Sequence, residues 1–196
     1  MKHAMWLFVL AILTLGIEPT AEATVVDYRS VTDGIYPSLS LGGTTVTGSS
    51  NITSGAFAGI RGLGVSGGAG GAGDLSLDTG ETMTIDLGHL STNVHLTLVD
   101  IPPPGNVTFA FEAFDGLTSL GSFNFPAATM APEIYDLSAL DGGQDMSSFI
   151  ISVGSPSSPL GLQIQAVSFD TIPEPGTLTL TALGLLAIGA ARRRKN

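Results

Sequence analysis

Asn106-Val-Thr-Phe-Ala-Phe-Glu-Ala-Phe-Asp-Gly-Leu-Thr-Ser-Leu-Gly-Ser-Phe-Asn-Phe125 decides the fold class. Val107, Phe109 and Phe111 alternate with Thr108, Ala110 and Glu112, so one face of an extended chain is apolar and the other is not. Asp115-Gly116 is turn chemistry, and the residues from 117 to 125 alternate again. The stretch predicts an antiparallel hairpin of residues 106–114 and 117–125.

Working outward, Glu81-Thr-Met-Thr-Ile-Asp-Leu87 places Met83, Ile85 and Leu87 on one face. Residues 92–99 do the same with Val94, Leu96 and Leu98, and residues 88–91 read as a short connection. Residues 24–30 predict a first strand, and residues 39–47 a second one, kinked and bulged at Gly42-Gly43. Residues 134–137, 148–153 and 162–169 complete about eight strands with turns every 8 to 12 residues. No window of the body sustains a 3.6-residue apolar period, and no internal repeat is present. The expectation is an all-β, two-sheet antiparallel β-sandwich, jelly-roll-like rather than immunoglobulin-like.

Composition narrows the function. The formal net charge is -10, and five of the seven basic residues lie in the two ends, leaving only Arg29 and Arg61 in the body. A body so acidic lacks the basic footprint that nucleic acid requires, whereas it suits cation binding and solubility. There is no cysteine, so thiol chemistry is excluded and core packing must replace disulfides.

The two ends read as routing signals. Lys2 and His3 precede an apolar run over residues 5–17, and Ala21-Glu-Ala23 fits the small-x-small rule, so residues 1–23 predict a signal peptide helix cut before Thr24. Its partners are then the Sec translocon and signal peptidase. At the other end, Pro173 and Pro175 force an extended peptide around Glu174. An apolar run over residues 176–191 follows, roughly 16 residues and about 24 Å as a helix, just short of a ~30 Å bilayer core. Arg192, Arg193, Arg194 and Lys195 would hold its cytoplasmic end. A Pro-rich linker before a permanent single-pass anchor is the alternative reading of these residues.

Pro173-Glu-Pro-Gly176, the short apolar helix and the Arg-Arg-Arg-Lys cluster together resemble the PEP-CTERM sorting signal, which exosortases recognise in Gram-negative producers of exopolysaccharide. The resemblance covers residues 172–196 and implies a transmembrane helix that serves as a transient inner-membrane anchor. It also implies processing near Pro173, Glu174 and Pro175, then release to the outer surface or matrix. The body, residues 24–171, is a single domain in this reading and is loosely similar to jelly-roll domains that precede such tails.

Within the body, Gly62-Leu-Gly-Val-Ser-Gly67 formally matches a dinucleotide fingerprint, and residues 64–68 a nucleophile elbow around Ser66. With the glycine-rich stretch to Gly73 behind it, a flexible loop is expected instead. His89 and His95, near Asp86 and Asp100, match no zinc spacing and are expected to be solvated. Asp74, Asp78, Glu81 and Asp86 cluster beside the glycine-rich stretch and are the candidate ligands for calcium, which favours several oxygen donors on loops. Tyr28, Tyr36 and Tyr135 are the candidate sugar platforms, while Phe109, Phe111, Phe123, Phe125 and Phe149 are expected in the core. No catalytic constellation stands out, so no enzyme is expected. The reading is an exported structural or adhesive protein of the cell surface or exopolysaccharide matrix. A carbohydrate-binding module, with or without calcium, is the alternative, and an extracellular hydrolase the weakest.

Overall fold

The structure, a computed structural model, describes residues 21–57, 59–67, 74–100, 108–126, 131–154, 161–172 and 184. Twelve strands follow one another: β1 (Glu22–Asp27), β2 (Gly34–Tyr36), β3 (Leu39–Leu41), β4 (Thr44–Gly48), β5 (Ile52–Phe57), β6 (Ile60–Val65), β7 (Thr82–Asp100), β8 (Thr108–Asp115), β9 (Thr118–Pro126), β10 (Glu133–Asp136), β11 (Met146–Val153) and β12 (Leu162–Thr171). A 3-10 turn over Tyr28–Ser30 and one short helix, α1 (Leu137–Leu140), interrupt them.

β7 organises the sandwich. Its first half lies between β4 and β11, with Ile85 opposite Val46 and Phe149, and its second half lies between β10 and β12, with Leu96 opposite Tyr135 and Val167. One strand therefore serves both layers, β3-β4-β7-β11-β8-β9 and β10-β7-β12-β6-β5-β2. The expected connection at residues 88–91 is corrected by this: Gly88 (φ 75°) and Asn93 (φ 51°) bend the chain without reversing it, and Ser91 stays paired to Met146 and Thr171. Across the bend the inward positions slip by one, from Met83, Ile85 and Leu87 to Val94, Leu96 and Leu98, all six buried. Ser138, held in α1, accepts a hydrogen bond from the Val94 amide at 2.8 Å and secures the start of the second half.

The leading hairpin forms as β8 and β9, with its two-residue loop one step later than expected, at Gly116-Leu117. Asp115 pairs with Thr118, and Leu117 projects fully into solvent. Residues 39–47 are a hairpin rather than a kinked strand. Gly42 (φ 56°) and Gly43 (φ 84°) both take the left-handed conformation, which reverses the chain in two residues and pairs Leu41 with Thr44. A further correction concerns the glycine motif, since residues 62–65 belong to β6, paired along its whole length with β5.

One contiguous core joins the layers, from Val26 and Tyr28 through Leu63, Leu96, Phe111 and Phe149 to Val167 and Phe169. Phe109, Phe111 and Phe149 are fully buried as expected, and Phe123 is half-buried. Ala23–Thr171 form one compact unit. Among the described residues no helix is long and apolar enough to cross a membrane. The apolar run 5–17, Pro173, Glu174, Pro175 and the basic cluster Arg192 to Lys195 lie outside the described residues. Ala21 and Ala23 are described and exposed, and a cut before Thr24 falls two residues into β1.

Candidate functional site

β6 and β12 share a single register pair, Leu63 with Ile164, because a third segment enters between them. Val65 N–H donates to Ser76 O (2.9 Å), and Leu77 exchanges two backbone bonds with Leu162 (2.7 and 3.0 Å). Thr79 then bridges to Val153 of β11. Such an approach is open only to glycine at three places. A Cβ on Gly62 would stand 2.7 Å from Ile164 O, one on Gly64 would overlap the backbone of Leu75 and Ser76, and one on Gly161 would overlap Leu77 O. The fingerprint-like Gly62-Leu-Gly64 is therefore a packing device, and neither a phosphate cradle nor a flexible loop.

The inserted segment carries three of the four acids expected to act together. Asp74 Oδ1 accepts hydrogen bonds from Ser76 N (3.0 Å) and Ser76 Oγ (2.7 Å), and the same hydroxyl lies 3.1 Å from Asp78 Oδ1. Glu81 Oε2 accepts the Asp78 amide at 2.8 Å. Asp78 is 0% exposed and Glu81 4%, yet Asp74 Oδ2, Asp78 Oδ2 and Glu81 Oε1 accept no hydrogen bond from an amide or hydroxyl. Burial, with the hydrogen bond and charge of the Asp74 carboxyl behind it, pushes the Asp78 carboxyl up to about 7, and burial likewise raises Glu81. A hydrogen bond between two carboxyls exists only while one of them keeps a proton.

Asp86 does not join the set, which corrects the expected calcium ligands. It is exposed on β7, in register with Thr45 and Ser148, and its Oδ1 accepts the Gly88 amide at 2.8 Å, serving the bend instead. Among the described residues no three His, Asp or Glu side chains form a ready metal-ligand group.

The raised carboxyls give a signed expectation. Asp78 and Glu81 keep protons in the fold that the unfolded chain surrenders, so the contribution of Asp78 is full below pH 3.8 and is lost as pH rises through about 7, and that of Glu81 has the same sign. With chelator present, the urea midpoint should be lower at about pH 8 than at about pH 5, and Asp78→Asn should flatten that difference. An equal slope in the variant would remove these carboxyls as its cause.

The aromatic candidates fare differently. Tyr28 is fully buried, its hydroxyl 3.1 Å from Thr44 Oγ1, and burial pushes the phenol up to about 12, so it presents no ring to a sugar. Tyr135 sits edge-on to Phe109 (5.2 Å, 86°) and donates to Glu133, while Tyr36 packs on the core and donates to Thr32 O. His89 is exposed and His95 half-exposed, with Nδ1 3.7 Å from Asp136 Oδ1. The strand register also aligns Asp136, His95 and Ser168 across β10, β7 and β12, a row invisible to linear spacing. Its Asp–His separation exceeds a hydrogen bond, so the row has no relay geometry.

The described residues thus define an antiparallel β-sandwich with a buried acidic insert. The chain carries the PEP-CTERM protein-sorting motif, matched over residues 171–195. No curated protein matches the chain. Solved structures similar to it include a carbohydrate-binding module from Cellvibrio mixtus lichenase 5A in complex with cellotriose, and the C-terminal domain of a chitobiase from Bacteroides fragilis. The first has 10% identity and a TM-score of 0.34, covering 76% of this chain and 97% of its own. The second has 20% identity and a TM-score of 0.31, covering 54% and 70%. At such scores neither likeness bears on function.

Proposed function

We propose that the chain is an exported, exosortase-sorted protein that acts at the cell surface or in the exopolysaccharide matrix as a non-enzymatic structural or adhesive component. The sorting motif at residues 171–195 is the observation that carries this reading. Pro173, Glu174 and Pro175 supply an extended peptide for a membrane protease, residues 176–191 a temporary tether, and Arg192 to Lys195 its cytoplasmic stop. Residues 1–23 supply the export signal. The acidic, cysteine-free body agrees with a soluble extracellular component, since its two basic side chains are both engaged, Arg29 with Asp27 and Arg61 with Asp33.

The test is the mass of the mature protein from culture fluid and envelope in a host that has the sorting enzyme. Both ends should be missing, and Glu174→Ala should leave the full tail in the inner membrane. Recovery of an intact tail from the unaltered protein would replace this reading with a permanent single-pass anchor. Retardation in gels containing the producer's polysaccharide would favour sugar binding over a purely structural role.

A further inference from the structure

β12 ends at Thr171, and the match to the sorting motif begins at that same residue. Ile172 alone separates the strand from Pro173, so at most about 7 Å of extended chain joins the last ladder pair to the motif. A protease that grips an extended substrate by its main chain needs those amides and carbonyls released from other partners. The residues on the amino side of Pro173 are not in that state. Past a bulge after Ser168, Asp170 pairs with Thr92 of β7 and Thr171 with Ser91. Phe169, 3% exposed, is the strand's last buried side chain, and Asp170 and Thr171 are only half-buried. Asn93 adds a hold at this end, its Nδ2 donating to Asp170 Oδ2 at 2.8 Å. The acceptor is a carboxylate, which makes the bond stronger than a neutral one. Among the described residues Asn93 is also the one residue other than glycine with a positive φ, 51°, a conformation that asparagine tolerates better than most.

We infer that the Asn93–Asp170 bond is a latch that keeps the amino-side flank of the processing motif in the sheet, and that release of the last β12 pairs sets the rate at which the sorting enzyme removes the tail. The inference rests on the routing proposed above and adds a timing to it. A half-buried strand end opens far more often than the buried middle of the same strand. Where opening and closing are fast relative to cleavage, cutting follows the population of the open form. The folded body would therefore stay tethered longer than a domain joined to the same motif by a loose spacer.

The experiment follows tail loss from the pulse-labelled full-length chain in a host that has the sorting enzyme. Inserting Gly-Ser-Gly-Ser between Ile172 and Pro173 should speed tail loss about tenfold. Asn93→Gly, which keeps the positive φ without strain and deletes the donor, should speed it about fivefold. The two changes together should be no faster than the insertion alone, and Phe57→Ala on β5 should leave the rate unchanged. If Asn93→Gly folds poorly, the insertion, which lies beyond the last strand, still decides. Equal rates for the unaltered and the inserted chain, with the tail removed from both, would overturn the inference and leave the routing standing. A further gain from Asn93→Gly on top of the insertion would mean that the substitution loosens the whole body, and would overturn the latch. Retention of the tail in every variant would overturn the routing and this inference with it.

Discussion

Gly64→Ala is expected to cost about 3 kcal/mol or more, enough to unfold a marginally stable domain. The added methyl group would overlap the carbonyl carbon of Leu75 and the amide nitrogen of Ser76, which are backbone atoms and cannot rotate aside. Relief requires the inserted segment to move, which breaks the Val65–Ser76 bond and the two Leu77–Leu162 bonds and lifts Leu75 off Gly55. Each buried amide or carbonyl left unpaired adds about 1–3 kcal/mol to the penalty. Gly59→Ala is the matched control: its φ of 84° strains an alanine by about 1–2 kcal/mol, but a Cβ there meets nothing within 4 Å. Urea unfolding should therefore show a far larger midpoint shift for Gly64→Ala than for Gly59→Ala. Equal shifts would mean that the insert does not pack against β6 as described.

The contrast between these glycines shows which parts of the structure can be read from linear sequence. Alternation identifies β8, β9 and both halves of β7, because residues such as Phe109, Phe111, Leu96 and Leu98 must share a face wherever their partners lie. It cannot tell whether Gly88 ends a strand or bends one, since that depends on whether β11 and β12 remain paired through Ser91. It also passes over β5 and β6, where Thr53, Gly55, Gly62 and Gly64 are buried on the face the insert covers and so interrupt the apolar pattern. The acidic site was legible to the same degree. Asp74, Asp78 and Glu81 are near in sequence and folded onto one short segment, whereas Asp86 lies five strand residues beyond Glu81, about 16 Å at an extended rise. Burial of Asp78 had no signal in the sequence, because Gly161, which packs against it, arrives from the far end of the chain.

Phe111→Ala should destabilise the body by about 3–5 kcal/mol, the largest loss expected from any single truncation in the β8–β9–β11 layer. Phe111 is fully buried, in register with Phe123 on one side and Ile151 on the other. Its ring stacks on Phe123 at 6.2 Å and meets the edge of Phe149 at 5.6 Å, so truncation leaves a cavity bounded by two aromatic rings on different strands. The effect should be uneven. Among the described residues β9 pairs with β8 alone, and Phe123 and Leu120 are its half-buried side chains packed on the core, so the edge strand loses one of its anchors. Amide exchange should accelerate first over residues 118–124, well before the amides of β7, which is paired on both sides. Phe57→Ala, at a position 39% exposed on β5, should cost under about 1 kcal/mol and leave β9 protected. If β7 and β9 instead lose protection together in Phe111→Ala, the layer unfolds as one unit and β9 is not the weak edge that its single pairing implies.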